Sequence, residues 1–220
     1  MANLISVTVF GNLDSSLRPF GLFMKKGATT KLSIIQQAAP IFNQQGYAGT
    51  SIKDVMQATG LQKGGIYNHF ESKEHLAIES FNYSVREVRR HYAATLSAKE
   101  SAQQQLLAFI DNFTNAFENP PIPGGCPLLN AAIESDDELP IIRVQVRRAM
   151  KNWHYWIARI IKGGISKGEL NQATDPKAAA TLFIACLEGG LMLSKLHDDL
   201  TYLQQSATHL HHYIKFDLSP

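Results

Sequence analysis

The residues best suited to chemistry in this 220-residue chain lie together in its first third. A short segment there opens with small and polar residues that a hydrophobic core does not require, namely Gln62, Lys63, Gly64, Gly65 and Asn68. Amide and ammonium groups can donate to base edges in the major groove of DNA, and small residues let the backbone approach closely. A phenol, an imidazole and an ammonium group follow at Tyr67, His69 and Lys73, and such groups commonly bind phosphate oxygens. The pattern favours a DNA-reading surface over a merely solvated helical face.

Two short helices joined by a tight turn are predicted to position these groups. A hydroxyl cap in Thr50-Ser51, with Asp54 in the first turn, begins the first helix. Gly60 ends that helix in a turn, and the second helix runs from about 62 to 68. Two short helices around a Gly-containing turn form a helix-turn-helix.

An amphipathic helix is predicted in front of this motif. It begins at Thr29 or Thr30, its apolar residues recur in steps of three and four, and Gly46 ends it. Pro40 inside it removes one backbone donor, so we expect a bend there.

The motif resembles that of a known family. From Thr50 the sequence runs Thr-Ser-Ile-x-Asp-Val, and from Gly60 it runs Gly-Leu-x-Lys-Gly-x-Ile-Tyr-x-His-Phe-x-Ser-Lys-Glu-x-Leu. Over residues 28–75 this closely resembles the N-terminal signature of the tetracycline-repressor (TetR) family. The resemblance implies a transcriptional regulator bound to double-stranded DNA at a pseudo-palindromic operator. It implies phosphate contacts from Thr50, Tyr67, His69 and Lys73. It implies contacts to bases or the adjacent backbone from Gln62, Lys63, Gly64 and Asn68.

Helical periodicity continues through the rest of the chain, and no strand pattern occurs. The predicted fold is therefore all-α: a three-helix helix-turn-helix head, residues 28–75, on a larger helical-bundle body, residues 76–220. Residues 1–27 form a leader for which a mis-annotated start, a flexible arm and a docked pair of short strands stay open. An acidic run in the body is expected to be a solvated break: Glu134, Asp136, Asp137 and Glu138.

Composition argues against several classes of protein. The two cysteines lack disulfide or zinc spacing, which fits a reducing cytoplasm. No run reaches the ~18 apolar residues of a membrane span. His209 and His212 are spaced like a metal-binding pair, but no cysteine or carboxylate completes a tetrahedral set, so neither a metal nor a cofactor is expected. Because nucleophile elbows, His-Glu-x-x-His motifs and paired apolar carboxylates are missing from the sequence, the chain is not expected to be an enzyme.

A ligand pocket in the body is the expected site of regulation. Bulky side chains should converge there from helices that face one another: Phe109, Phe113, Phe117, Trp153, Ile157 and Met192. Cys126 and Glu188 would add polar groups, with Glu188 as an acceptor or negative charge for a small, mostly apolar organic effector; the alternative is ordinary core. Cys126, at a predicted helix N-terminus, has either a lowered thiol pKa that suits an electrophile sensor or the inertness of a buried thiol.

The resemblance also implies a homodimer formed by the last two helices, from Pro176 onward. Gly189, Gly190 and the alanines at 178–180 would permit close approach, although they could equally serve packing within one chain. Repression relieved by an effector is the family's default output. The alternatives are a helical enzyme or carrier that owns a helix-turn-helix, and a regulator that takes its signal from a protein partner.

Overall fold

The computed structural model describes residues 26–135 and 140–220, and over these ranges it contains nine α-helices and no β-strand. The predicted leader lies outside these ranges except for its last two residues, and so do Asp136, Asp137 and Glu138. The all-α prediction is confirmed for the described chain.

Three helices form the head: α1 (Lys26–Gln45), α2 (Ile52–Thr59) and α3 (Lys63–Tyr67). Ser51 caps α2, since its hydroxyl accepts from Asp54 N while the Asp54 carboxylate accepts from Ser51 N at 2.7 Å. Gly60 has φ +69°, a left-handed conformation that turns the chain from α2 toward α3 at no steric cost to glycine. Pro40 lies inside α1, and the helix continues through it.

Buried apolar side chains hold the head against the long helix α4 (Lys73–Leu96). Phe42, Val55, Ile66 and Phe70 are each at most 1% exposed, and burial stabilises such side chains by about 1.5–3 kcal/mol each. Ser72 caps α4 by accepting from His75 N at 3.2 Å. α1 packs along α4 and also contacts α2, and α2 contacts α3. The helix-turn-helix is therefore held on α4 through α1.

Five more helices build the body: α5 (Ala102–Asn115), α6 (Pro127–Glu134), α7 (Pro140–Ser166), α8 (Pro176–His197) and α9 (Thr201–Phe216). The predicted start of α8 is found, since Asp175 accepts from Lys177 N at 2.8 Å and Pro176 occupies the first turn. α8 packs between α7 and α9, and α5 packs on both of these.

Aromatic rings from three helices meet where α4 enters the body. The ring centroid of Tyr92 on α4 lies 5.0 Å from that of Phe109 and 4.9 Å from that of Trp153. Trp156 follows at 5.5 Å from Trp153. These tilted and edge-to-face contacts anchor the far end of α4 in the body core, so α4 connects the head directly with that core.

Candidate DNA-binding surface and body cavity

The four residues predicted to face bases or the adjacent backbone lie exposed on α3 or directly beside it: Gln62, Lys63, Gly64 and Asn68. Tyr67, predicted to contact phosphate, is exposed on the same side. A side chain added at Gly64 would meet nothing within 4 Å, so the backbone is open to an approaching groove there. Lys63 Nζ lies 5.8 Å from the Tyr67 ring centroid, a cation–π distance that holds both side chains on this surface. Ile66 is fully buried on the opposite side and anchors the helix.

Three further predicted residues lie at the edge of this surface. Gly65 is half-buried, and a Cβ there would lie 3.6 Å from Leu61, so Gly65 faces the turn. His69 is also half-buried, with its ring 6.5 Å from that of Phe70. Lys73 Nζ donates to Ala48 O at 3.1 Å. An ammonium group has three donors, so two remain for a phosphate.

The predicted phosphate contact from the Thr50 side chain does not fit the structure. Thr50 is 1% exposed, and its hydroxyl donates to Gly46 O at 2.6 Å. The hydroxyl therefore closes the turn between α1 and α2. Ser51, the next residue, is the exposed hydroxyl at the start of α2.

A carboxylate from the body holds this same turn. Glu134, at the end of α6, accepts from Tyr47 N at 2.8 Å and from Ala48 N. Tyr47 is 3% exposed, and burial, with Glu134 nearby, raises the pKa of its phenol. The expectation that Glu134 belongs to a solvated break is therefore wrong, because two backbone donors of the head need its oxygens.

Two amide side chains continue the contact toward the loop before α6. Asn43 of α1 is 4% exposed and donates to Pro123 O at 2.9 Å and Gly125 O at 3.1 Å. Asn130 of α6 donates to Asn43 O at 3.0 Å and Gly124 O at 2.9 Å. Asn43, Tyr47 and Ala48 of the head, with Asn130, Glu134 and residues 123–125 of the body, are called the head–body junction below.

A cleft of about 390 Å³ lies beside the junction. Its lining comes from the end of α1, the loop after α5, and α8: Gln44, Phe117, Pro120, Gly124, Gly125, Leu191 and Lys195. A smaller inner cavity of about 40 Å³ shares Phe117, Pro120, Gly125 and Leu191 with it. The inner cavity extends to Tyr92, Phe113 and Cys126. The two spaces therefore adjoin each other.

A thiol and a carboxyl meet behind the inner cavity. Cys126 Sγ donates to Glu188 Oε1 at 3.0 Å. Burial raises the pKa of Glu188 to about 7. Burial also raises the pKa of the Cys126 thiol well above its ordinary value, the Glu188 carboxyl raises it further, and the backbone at Leu129 and Leu128 opposes this only weakly. The lowered thiol pKa considered from the sequence is therefore wrong.

Comparison with known proteins places both regions in one family. Residues 34–79 match the family "Bacterial regulatory proteins, tetR family", and residues 102–210 match "Tetracyclin repressor-like, C-terminal domain". A TetR transcriptional regulator from Chloroflexus aurantiacus J-10-FL, known from a crystal structure, is 43% identical, with a TM-score of 0.85 over 89% of this chain and 99% of that one. This chain belongs to the tetracycline-repressor family. It is therefore a DNA-binding transcriptional regulator and not an enzyme.

Two curated relatives agree with this TetR-family assignment. The uncharacterized HTH-type transcriptional regulator YxaF of Bacillus subtilis is 27% identical over 82% of this chain and 92% of its own length. The HTH-type transcriptional repressor DhaR of Mycobacterium sp. strain GP1 is 24% identical over 80% of this chain and 87% of its own. The likeness thus extends through head and body alike.

The structure divides the residues predicted for an effector pocket in this TetR-family chain. Phe113, Phe117 and Cys126 line the inner cavity, with Glu188 bonded behind it. Phe109, Trp153 and Ile157 are instead packed in the core, because the aromatic rings close on one another and leave no space. Met192 is 45% exposed on α8, since the helix turns it away from its buried neighbour Leu191. The prediction that Phe109, Trp153, Ile157 and Met192 line the pocket is therefore wrong.

Several residues of both regions were missed by sequence reasoning. Tyr92 and Lys195 line the cavities, and Asn43 and Asn130 bond across the junction. For Asn43, the sequence did offer one indication: its amide follows the core residue Phe42 in a helix, and a polar side chain buried there needs hydrogen-bond partners.

We expect Cys126 to resist alkylation in the folded TetR-family protein. Its raised thiol pKa leaves little thiolate at neutral pH, so its reaction with iodoacetamide should be more than about tenfold slower in buffer than in denaturant. A Cys186→Ser variant leaves Cys126 as the single thiol, and mass spectrometry follows the modification. Equally fast reaction in both conditions would show that the thiol is accessible and ionised.

Proposed function

We propose that this regulator is a homodimeric repressor that leaves its operator when a small organic effector occupies the body cavity. One observation carries the proposal: the same short loop lines the cleft and bonds the head. Gly124 and Gly125 face the cleft, while Pro123 O and Gly125 O accept from Asn43 of the head. An occupant of the cleft cannot displace this loop without disturbing the junction.

The head supports a role in reading DNA by one α3 helix per subunit. The polar surface of α3 is exposed and Gly64 leaves its backbone open, as entry into a major groove requires. Two such helices in a symmetric dimer would contact successive major grooves of a pseudo-palindromic duplex. A chromosomal target implies that the protein works in the cytoplasm.

An apolar stripe on α8 supports the dimer. Its exposed or half-exposed residues recur at helical spacing: Leu182, Ala185, Gly189, Met192, Leu193 and Leu196. Gly189 meets nothing within 4 Å, whereas a Cβ at Gly190 would lie 2.6 Å from Ser206 Oγ of α9. Gly190 therefore serves packing within the chain, and Gly189 is left for close approach by a second copy. Of the three alanines, Ala178 is exposed, and Ala179 and Ala180 are buried.

α8 is also, among the described helices, long and apolar enough to cross a membrane by length and composition. Its other side is core: Phe183 is fully buried, with its ring 6.4 Å from that of Tyr213 on α9. A helix with one face in a protein core and one apolar stripe exposed suits a protein interface, so we propose a dimer helix and no membrane contact.

Effector action follows from linkage. A ligand releases DNA only if it binds the released conformation better than the DNA-bound one, and DNA then weakens ligand binding by the same factor. The inner cavity, about 40 Å³, is smaller than an organic molecule. Binding must therefore move lining groups such as Phe117 or the loop at 123–125.

The proposal is tested by selecting a duplex from a random pool and then screening for its release. Selected sites should be pseudo-palindromic, and fluorescence anisotropy should show one dimer per duplex. Compounds that release the duplex should bind the free protein more tightly than the protein–duplex complex. The ratio of these two affinities should equal the factor by which the compound weakens duplex binding. Selected sites that contain only one half-site would contradict binding as a dimer. Compounds that release the duplex without binding to the protein would contradict the effector site.

We expect Lys73 and the α3 residues to contribute to DNA binding in different ways. Lys73→Ala should weaken binding to every duplex alike and lower the slope of log K against log salt by about one, because one phosphate contact is lost. Gln62→Ala or Lys63→Ala should instead change sequence preference by about 1–3 kcal/mol. Lys151→Ala, an exposed lysine on α7, is the matched control. Identical effects of all substitutions would refute the division of roles.

A further inference from the structure

Glu188 is a buried carboxyl group without a cationic partner among the described residues. The residue is 7% exposed, its Oε1 accepts from the Cys126 thiol, and its Oε2 has no hydrogen-bond partner among the described residues. An ionised carboxylate in such surroundings is costly unless a positive charge or further donors compensate it. The described chain offers Glu188 a thiol and nothing more.

Two basic side chains of α7 and α8 are engaged elsewhere. Lys195, about two turns further along α8, donates from Nζ to Gly124 O at 3.0 Å and to Asn130 Oδ1 at 3.3 Å. His154 of α7 contacts the first turns of α8 instead, with Nε2 3.0 Å from Lys177 O and from Thr181 Oγ1. Both side chains are therefore held away from Glu188, and a bound molecule can supply the positive charge.

The surroundings of Glu188 suit an organic cation. The Glu188 carboxyl contributes to the raised pKa of the Tyr92 phenol, and the rings of Tyr92, Phe113 and Phe117 line the inner cavity. Aromatic rings attract ammonium groups through their faces and also accommodate the apolar part of such a molecule. Cys126 also lines this cavity, which adjoins the outer cleft.

The geometry points to a binding site for a hydrophobic ammonium ion, with the Glu188 carboxylate as its counter-ion and the rings of Tyr92 and Phe113 as its apolar wall. This rests on the proposed function and gives the effector a chemical class. The cation enters through the cleft, displaces Phe117, and pairs with Glu188 Oε2. The same movement acts on Gly125, the loop residue that bonds Asn43 of the head.

The ionisation of Glu188 makes cation binding depend on pH. Burial raises the pKa of Glu188 to about 7, so its ionised fraction rises from about one tenth at pH 6 to about nine tenths at pH 8. Cys126 and Tyr92 face it with raised pKa values and stay neutral over this range. Binding to the ionised form alone should therefore strengthen about tenfold from pH 6 to pH 8.

Two molecules of one shape test the site: phenyltrimethylammonium, which is charged, and tert-butylbenzene, which is neutral. Calorimetry on the full chain should show that phenyltrimethylammonium binds more tightly than tert-butylbenzene and gains about tenfold in affinity from pH 6 to pH 8. Glu188→Gln keeps the shape and an acceptor for Cys126, and it should lose both the preference and the pH dependence. Glu100→Gln, an exposed carboxylate before α5, should behave as the wild type.

The site is refuted if tert-butylbenzene binds as tightly as the cation, if neither compound binds, or if Glu188→Gln keeps the wild-type preference. The pH dependence in the wild type decides the matter even if Glu188→Gln fails to fold. Operator binding is measured separately by anisotropy. Cation binding with these properties but without operator release supports the site and refutes the effector role. If the unliganded wild type binds no operator, the proposed function is refuted and the site is not.

Discussion

A chain carrying Ala185→Arg and Met192→Arg will be monomeric and will bind its operator more weakly than the wild type by a factor on the order of 100 or more. Both residues are exposed and lie two turns apart on the apolar stripe of α8. In a two-fold interface each arginine meets the same surface of the second copy, so like charges are buried together. Operator affinity then falls because the two heads are no longer joined, so binding of one head does not bring a second head to the other half-site.

Sedimentation velocity at micromolar concentration and anisotropy with operator duplex measure the two effects. Val144→Arg is the matched control, since Val144 is 63% exposed on α7, outside the stripe. It should leave both the dimer and the affinity unchanged. Circular dichroism must show wild-type helix content in both variants. A double variant that stays dimeric would place the interface somewhere other than α8.

Elements whose cause is local could be predicted from the sequence. The caps at Ser72 and Asp175 need only a side-chain oxygen within two or three residues of a free N–H, and both are found. Gly60 ends α2 because glycine tolerates its positive φ. The helix-turn-helix follows from such signals and from the apolar spacing, which is why head and fold class agree with prediction.

Features that depend on distant partners could not be predicted. Glu134 stands in an acidic run, and nothing near it indicates that its partners lie 86 and 87 residues away in the head. The pKa of Cys126 has the same origin: a helix N-terminus favours the thiolate, but burial and Glu188, 62 residues away, reverse the effect. For Trp153, periodicity shows a face of a helix but not whether facing rings leave a cavity.

Glu134→Ala will loosen the head from the body without unfolding the body. The substitution leaves Tyr47 N and Ala48 N without their acceptor. Because Tyr47 is buried, water cannot fully replace the lost carboxylate, and we expect a loss of about 1–3 kcal/mol in the free energy of unfolding. Hydrogen exchange at these two amides should accelerate about tenfold or more, while α8 and α9 keep wild-type protection.

Glu134→Gln refines the test, because its single amide oxygen can accept one of the two bonds while its NH₂ group opposes an N–H. Its loss of stability should fall between those of the wild type and Glu134→Ala. Glu118→Ala removes an exposed carboxylate after α5 and should change neither quantity. If the junction transmits the binding of an effector in the cavity to the head, a compound that releases the wild-type protein from its operator must reach a higher concentration to release Glu134→Ala. Equal release, together with the faster exchange, would mean that α4 alone connects the cavity with the head.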